Sequence, residues 1–413
     1  VLDRALRLLH PMMPFVTEAI WRELPLAETD RANNTASVAT YVPGLPWTKE
    51  MPSRVPIVVS NPSASTLPAA QFCQLLQTLL PKGQKVPTST KGARLIEAAS
   101  GNEVPCQIDG AGDSAELCFS AGKLAPYSCR TFLLSFSGMP GEDFPPALQV
   151  KVSDGSFEAN TGALTLKHDS TKADLLSQVS AGDLPLGRFH ALMHQNVGQN
   201  LWVAADRTEA VQVYDGPVRF AADVTVAATT GGADTKTAAG QEGDYAARVA
   251  RPHRFRACYR VAAYPGQAWF TSRLLWVEST DTEPWELVDY FHYAQSAIGG
   301  KWDDDIPATT LGTSVAAWEN PKLNGYYGFL GGFADDFRAS YWRDPVPGGG
   351  EHPDVSREVS VKLAPGQRYA NTEPVATFFG CQGTDTAKGI ARSVDAQSRL
   401  QWKALPEEKT PAH

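Results

Sequence analysis

The chain has six cysteines, at 73, 106, 118, 129, 258 and 381, and no C-x-x-C pair, so zinc-finger spacing is absent. No run approaches the ~18 apolar residues that a membrane span requires. Dense Lys/Arg stripes are also missing: 37 basic residues stand against 45 acidic ones, for a net charge of −8, and no nucleic-acid partner is expected. There is no G-x-S-x-G elbow, no P-loop and no G-x-G-x-x-G after a strand, which argues against an α/β-hydrolase, an NTPase or a dinucleotide enzyme. Internal repeats at solenoid or propeller period do not occur. Neither an initiator methionine nor a signal peptide stands at the start, so a fragment or a processed form is expected.

The chain is rich in glycine (34) and proline (30), with β-branched and aromatic clusters between them. That composition predicts many short strands and turns. At 413 residues there is room for two domains and a sizeable core. Cys106, Cys118 and Cys129 are near enough in sequence for one disulfide among them; the alternative is that they are small buried hydrophobes.

The first stretch differs from all that follows. Residues 2–24 place apolar residues at helical spacing, and Pro11 and Pro14 divide them into two short helices. The motif LLHPMMPFVTEAIW resembles the start of the anticodon-binding helical domain of valyl-type aminoacyl-tRNA synthetases. That family's HIGH and KMSKS signatures are absent, so the resemblance implies a helical remnant, with a tRNA-binding fragment as the distant alternative. Residues 25–52 are polar and proline-punctuated, and read as a linker.

Residues 53–147 form a smaller β-rich unit, with VPIVVS (55–60) as a strand and AAQFCQLLQTLL (69–80) as a helix. Its series VPCQID, AELCF and LAPYSCRTFLLSF resembles the small β-domains that precede the main sandwich in bacterial carbohydrate-processing proteins. Asp109 and Asp113 are turn formers there, with calcium ligation second. Residues 148–405 supply a long succession of strand candidates, and 406–413 a tail. The fold expected is mainly β: a large antiparallel supersandwich, a smaller β-rich domain and a short helical N-terminal segment. The order VSDGSFEANTGALTLKH, VYDGPVRF, YPGQAWFTSRLLWVEST resembles the galactose-mutarotase-like supersandwich of polysaccharide lyases, epimerases and glycoside hydrolase β-domains. The resemblance implies a carbohydrate-active protein, most concretely a β-eliminative lyase of acidic glycans, with a glycoside hydrolase or a non-catalytic carbohydrate-binding sandwich as alternatives, and secreted or periplasmic if so.

Strand alternation then selects site candidates. Arg254, Arg256, Cys258 and Arg260 share one face, Trp269, Thr271 and Arg273 another, and Val288, Tyr290 and His292 a third. If these consecutive strands neighbour each other in one sheet, Arg260, Arg273, Trp269, Tyr290 and His292 converge on one surface. Such a surface suits acidic sugars: guanidinium groups bind carboxylates bidentately, and aromatic rings face pyranoses. For β-elimination, His292 would be base and Tyr290 acid, with Arg260 or Arg273 on the carboxylate. The competing reading makes them ion-paired or interfacial residues.

The segment RFHALMHQNVGQNLW carries His190 and His194, candidates for catalysis or sugar contact, with Asn196, Gln199 and Trp202 for hydroxyl recognition. It lacks the glutamate of an H-E-x-x-H metal site. After a Gly-Gly break come Trp302, a rim candidate, and the run Asp303–Asp305. Asp303 and Asp305 are the weak metal candidates, for calcium; no other cofactor is expected. Hydrolysis through the same run would need Glu278 or Glu319 as second carboxylate. A solvated acidic loop is the competing reading. A poly- or oligosaccharide is the expected partner, no membrane is expected, and oligomeric state stays open.

Overall fold

In a computed structural model, the structure describes residues 53–64, 66–80, 93–136, 142–196, 200–229, 254–312, 315–330, 337–343, 351–371, 375–398 and 400–409. The expected helices of 2–24 and the linker of 25–52 lie outside these. The chain divides into two compact units, Val1–Phe144 with Ala396–His413, and Pro145–Asp395. Among the described residues, no helix is long and apolar enough to cross a membrane.

The first unit has two antiparallel sheets. One runs Gln401–Ala404, Ser53–Asn61, Ser128–Phe136, Ala93–Glu97, with Glu408–Lys409 also on Ser53–Asn61; the other runs Leu67–Leu75, Glu116–Leu124, Cys106–Asp109. Ile57, Val59, Phe72, Leu117, Phe119, Phe132 and Leu134 fill the core. The pairing of Gln401–Ala404 with Ser53–Asn61 returns the chain's end to this unit. A helix was expected over 69–80, but Leu67–Leu75 is a strand and only Leu76–Leu79 makes a helical turn. Pairing with Glu116–Leu124 overrides the local helical pattern, and it sets Cys73 directly opposite Cys118. The disulfide therefore joins Cys73 and Cys118, with Cα atoms 4.3 Å apart, while Cys106 and Cys129 are free. Sequence proximity favours a bridge among Cys106, Cys118 and Cys129, or none; cross-strand register instead pairs Cys118 with Cys73.

The second unit is a large antiparallel β-sandwich, as its alternating apolar pattern predicts. Its first sheet runs Arg338–Arg343, Glu351–Leu363, Trp285–Ser296, Leu184–Asn196, Leu176–Ala181, Thr165–His168, Ser156–Asn160, Gln149–Ser153, with Asn200–Ala204 beside Leu184–Asn196. The second runs Arg207–Asp215, Phe220–Ala228, Phe255–Ala263, Trp269–Ser279, Ala376–Gln382, Gly325–Leu330, Val315–Asn320, Ile306–Pro307, with Arg368–Ala370 beside Trp269–Ser279. Both sheets contribute to one core. Phe189 packs on Phe378 and Phe270 across the layers, at 4.6 and 5.5 Å between ring centroids, and Phe157 meets Phe220 at 4.9 Å.

The three strands expected to share one sheet are divided between two. Phe255–Ala263 and Trp269–Ser279 are neighbours, with Arg260 opposite Arg273, but Trp285–Ser296 belongs to the other sheet. The connection Thr280–Pro284 crosses between layers rather than closing a hairpin. Short connections serve either purpose in a sandwich, so spacing alone did not distinguish them.

Candidate functional site

Tyr290 and His292 do share a face of Trp285–Ser296, and that face is the inside of the sandwich. Neither ring has solvent exposure. Their centroids are 5.6 Å apart, and His292 is also ringed by Phe189, Tyr259, Phe337 and Phe378. His292 Nδ1 lies 3.0 Å from Ser272 Oγ of the opposite sheet. Burial lowers the imidazole pKa to about 3, holding it neutral. Asn371 Nδ2 donates to the Tyr290 hydroxyl at 3.0 Å, and burial, outweighing help from Arg357 and Asn371, pushes that phenol up to about 12. A ring sealed in the core touches no polymer, and a phenol with so high a pKa is a poor proton donor at neutral pH. The base and acid roles read for His292 and Tyr290 are corrected on these grounds.

Arg260 and Arg273 sit in the opposite sheet from that pair. Core residues Tyr259 and Val261 alternate with Cys258 and Arg260, so Arg260 points away from the core. Its fork is occupied by Asp223, with Nε to Oδ1 at 2.7 Å and Nη2 to Oδ2 at 2.9 Å, and the guanidinium lies over Tyr214. Arg273, its register partner, is 7% exposed. Trp269 packs on Tyr264 and donates its Nε1–H to Gln267 at 3.0 Å, in an apolar cluster with Phe379 and Ala387. No common surface joins these residues to Tyr290 and His292.

The acidic run is divided by its contacts. Asp303 and Asp304 are exposed, and Asp304 pairs with Lys322 at 2.7 Å. Asp305 is fully buried: its carboxylate accepts from Ser296 Oγ at 2.8 Å, Ile298 N at 3.0 Å and Asn320 Nδ2 at 3.0 Å. Burial raises its pKa against those three bonds. Three protein donors therefore take the place of a cation at Asp305, and they pin the Ile298–Gly300 turn. Trp302 is half-buried, its carbonyl accepting from Asp305 N at 3.0 Å. Asp305→Ala is expected to cost about 2–4 kcal/mol by leaving buried donors unmatched, measurable by urea denaturation; an unchanged midpoint would deny the carboxylate this role.

One candidate histidine keeps both a carboxylate partner and access to solvent. Leu184–Asn196 is a strand, with Phe189, Ala191 and Met193 in the core, so His190 projects from the outer face of the sheet. Its Nδ1 lies 2.6 Å from Asp174 Oδ1, and its Nε2 lies 2.7 Å from Gln295 Oε1. Arg188, two residues earlier on the same face, donates from Nη2 to Gln295 Oε1 at 2.5 Å and reaches Asp174 Oδ2 at 3.8 Å. Asp174 is buried, whereas the His190 and Arg188 side chains are 22% and 48% exposed. Burial alone would raise the Asp174 carboxyl; the hydrogen bond and charge of His190, with Arg188 and Lys172, outweigh it and hold the pKa below the usual range. Its buried Oδ2 makes no hydrogen bond among the described residues. Among histidines whose side chains are described, His168 and His292 are buried and His190 is not.

Two local features hold this group. The register Leu176↔Phe189 folds the Asp174 segment back beside His190, and Arg188↔Gln295 sets the amide next to the guanidinium. Gly187 has φ +151, and an added Cβ would lie 2.0 Å from the Gln295 carbonyl oxygen. Gly187→Ala is expected to cost more than about 1 kcal/mol and to displace Gln295. A wild-type melting temperature in that variant would contradict the tight approach.

Asp174, Arg188 and Gln295 were not selected from the sequence. The alternation R-F-H was a readable signal for Arg188; nothing local marked the other two. The side chains of His194, Asn196 and Trp202, and all of Gln199, lie outside the described residues. The backbone sets His194 opposite Trp202 on one side and Asp289 on the other.

Fold and site together define a large antiparallel β-sandwich with a carboxylate-backed histidine on one outer face. Comparison with known proteins gives two different likenesses. Residues 1–58 match the anticodon-binding domain of tRNA ligase, running past the 2–24 stretch in which the likeness is most legible. The chain is 39% identical over 54 residues to valine--tRNA ligase of Schizosaccharomyces pombe, covering 13% of this chain and 6% of that protein's length. Among solved structures, a glycosyl hydrolase family 38 protein from Enterococcus faecalis aligns with 11% identity and TM-score 0.46, covering 86% of this chain and 47% of its own. An alpha-mannosidase from Enterococcus faecalis V583 aligns with 10% identity and TM-score 0.44, covering 88% and 47%. A galactose mutarotase-like protein from Clostridium acetobutylicum aligns with 9% identity and TM-score 0.31, covering 57% and 98%. At these scores the structural likenesses assign this chain no substrate and no reaction.

Proposed function

We propose that the sandwich unit is carbohydrate-active and meets an acidic poly- or oligosaccharide at the outer face around His190. The observation that carries this reading is the chain Asp174–His190–Gln295–Arg188, in which a part-exposed imidazole is oriented by a buried carboxylate beside a half-exposed guanidinium. The sequence pattern similar to galactose-mutarotase-like sandwiches supports it. Arg188 pairs with a uronate carboxylate, which acidifies the C5 proton. For this step the substrate must displace the Gln295 amide from Nε2 and leave that nitrogen unprotonated. His190 Nε2 then takes the C5 proton, the C4–O bond breaks as the C4–C5 double bond forms, and the departing oxygen is protonated from solvent or from the ring. Asp174 holds the imidazole and balances its charge, as an orienting carboxylate does for other catalytic histidines.

The test is a panel of acidic and neutral glycans followed for unsaturated ends and for new reducing ends. β-Elimination yields both without consuming water, and is the expected outcome on acidic glycans. Reducing ends without unsaturation would replace elimination by hydrolysis. Retardation of glycans in a gel without turnover would reduce the unit to a binding module. A second reading attaches to residues 1–58 alone, where the match favours contact with tRNA. A gel shift of tRNA by the full chain, lost on deleting residues 1–50, would support it.

A further inference from the structure

The three-stranded sheet of the first unit turns a set of metal-type donors away from its core. On Leu67–Leu75, Phe72 packs inward and Cys73 faces the other way; on Glu116–Leu124, Leu117 and Phe119 pack inward while Glu116 and Cys118 do not. Gln107 and Asp109 of Cys106–Asp109 lie on the same side, because the register sets Cys118 opposite both Cys73 and Gln107, and Glu116 opposite Asp109. As a result Cys73 Sγ, Cys118 Sγ and a Glu116 carboxylate oxygen all lie within 4.8 Å of one another. Glu116 Oε2 is 3.8 Å from Cys73 Sγ, and Asp109 Oδ2 is 4.0 Å from Cys118 Sγ. Both carboxylates are almost wholly buried, at 3% and 1% exposure, and Gln107 Nε2 donates to Asp109 Oδ1 at 2.7 Å.

We propose that this group is a redox-gated zinc site, closed as the Cys73–Cys118 disulfide and opened by reduction to bind one Zn²⁺ through Cys73, Cys118 and Glu116. Asp109 or a water completes the tetrahedron. The donor set suits the ion: thiolate and carboxylate ligands bind zinc at about 2.3 and 2.0–2.2 Å. Tetrahedral geometry at those lengths needs sulfurs roughly 3.7 Å apart, and directly opposed residues with Cα atoms 4.3 Å apart can supply that once the S–S bond opens. A thiol or phosphine reductant supplies two electrons, the disulfide takes them and two protons to become two thiols, and the reductant is oxidised. Zinc then displaces one proton from each thiol.

The full chain, reduced with a phosphine under anaerobic conditions and desalted, is titrated with Co²⁺ and then Zn²⁺. The expected result is uptake of one equivalent of cobalt, with a thiolate-to-cobalt charge-transfer band and tetrahedral visible bands, both bleached by zinc. The oxidised chain stays silent. Glu116→Gln weakens binding at least about tenfold, and Cys106→Ser, altered on the opposite face of the sheet, leaves it unchanged. No band in the reduced chain, equal uptake by the oxidised chain, or a band retained in Cys73→Ser would overturn the proposal. Should Cys73→Ser not fold, the reduced and oxidised wild-type chains still decide it.

Discussion

His190→Ala is expected to lower turnover of an acidic oligosaccharide by about 10²–10⁴-fold, the range removed with a positioned general base. The unfolding midpoint should fall only modestly, because the ring stands on the outer face and fills no core space, although its loss takes from the buried Asp174 carboxylate its closest partner. Its neighbours divide the effect. Arg188→Ala removes a charged contact worth about 1.5–3 kcal/mol, and a role on the substrate carboxylate predicts that the loss appears chiefly in KM. Asp174→Asn keeps the shape while weakening the charge that orients the ring, so kcat falls and the pH profile moves. The Asp174 carboxyl is held below its ordinary range in the fold. It therefore contributes stability at pH above the ordinary carboxylate value, which is lost as pH falls through the depressed folded value. In His190→Ala the main opposing influence on burial is gone, and this contribution should shrink. Full turnover in His190→Ala would remove the residue from the chemistry.

A second large effect belongs to His292. In the fold its pKa is pushed down to about 3 by burial, against an ordinary 6.5 in the unfolded chain. Below pH 6.5 the unfolded chain binds a proton that the folded one refuses, so stability falls as pH drops from about 6.5 towards 3 and levels off below. Integrated over that window, the loss is roughly 4–5 kcal/mol for this fully buried group. His292→Phe gives up the contact with Ser272 and should be less stable at neutral pH by about 1–3 kcal/mol. It should also lose most of the acid sensitivity, so its denaturation midpoint changes far less between pH 6.5 and 4. Parallel pH dependences for the two proteins would mean that His292 titrates normally in the folded state.

These two histidines also show how far the sequence could be read. Alternation along Trp285–Ser296 correctly put Tyr290 and His292 on one side, but both sides of that strand carry apolar and polar residues. Phe291, on the other side, is itself 6% exposed. Nothing in such a strand says which face is inside, and the assignment came only with the opposite sheet, where Ser272 meets His292. The β-sandwich class was legible because apolar alternation and turn residues recur throughout the second unit. Sheet membership was not, since the Thr280–Pro284 connection fits a hairpin and a crossing equally well. In the first unit, helical spacing of apolar residues over 69–80 was a true local signal that strand pairing overrode. At the candidate site, Arg188 and His190 alternate visibly, whereas Asp174 and Gln295 reach them only through cross-strand register. A one-residue slip would separate them, and sequence alone does not set that register.

Sugar is expected to meet the outer face around His190 and not the buried pair Tyr290 and His292. Histidine imidazole NMR signals, assigned with His190→Ala and His292→Phe, can be followed while an acidic oligosaccharide is titrated into the full chain. Saturable shifts of the His190 resonances, with those of His292 unmoved, are the expected result. Shifts at His292 with His190 silent would contradict it.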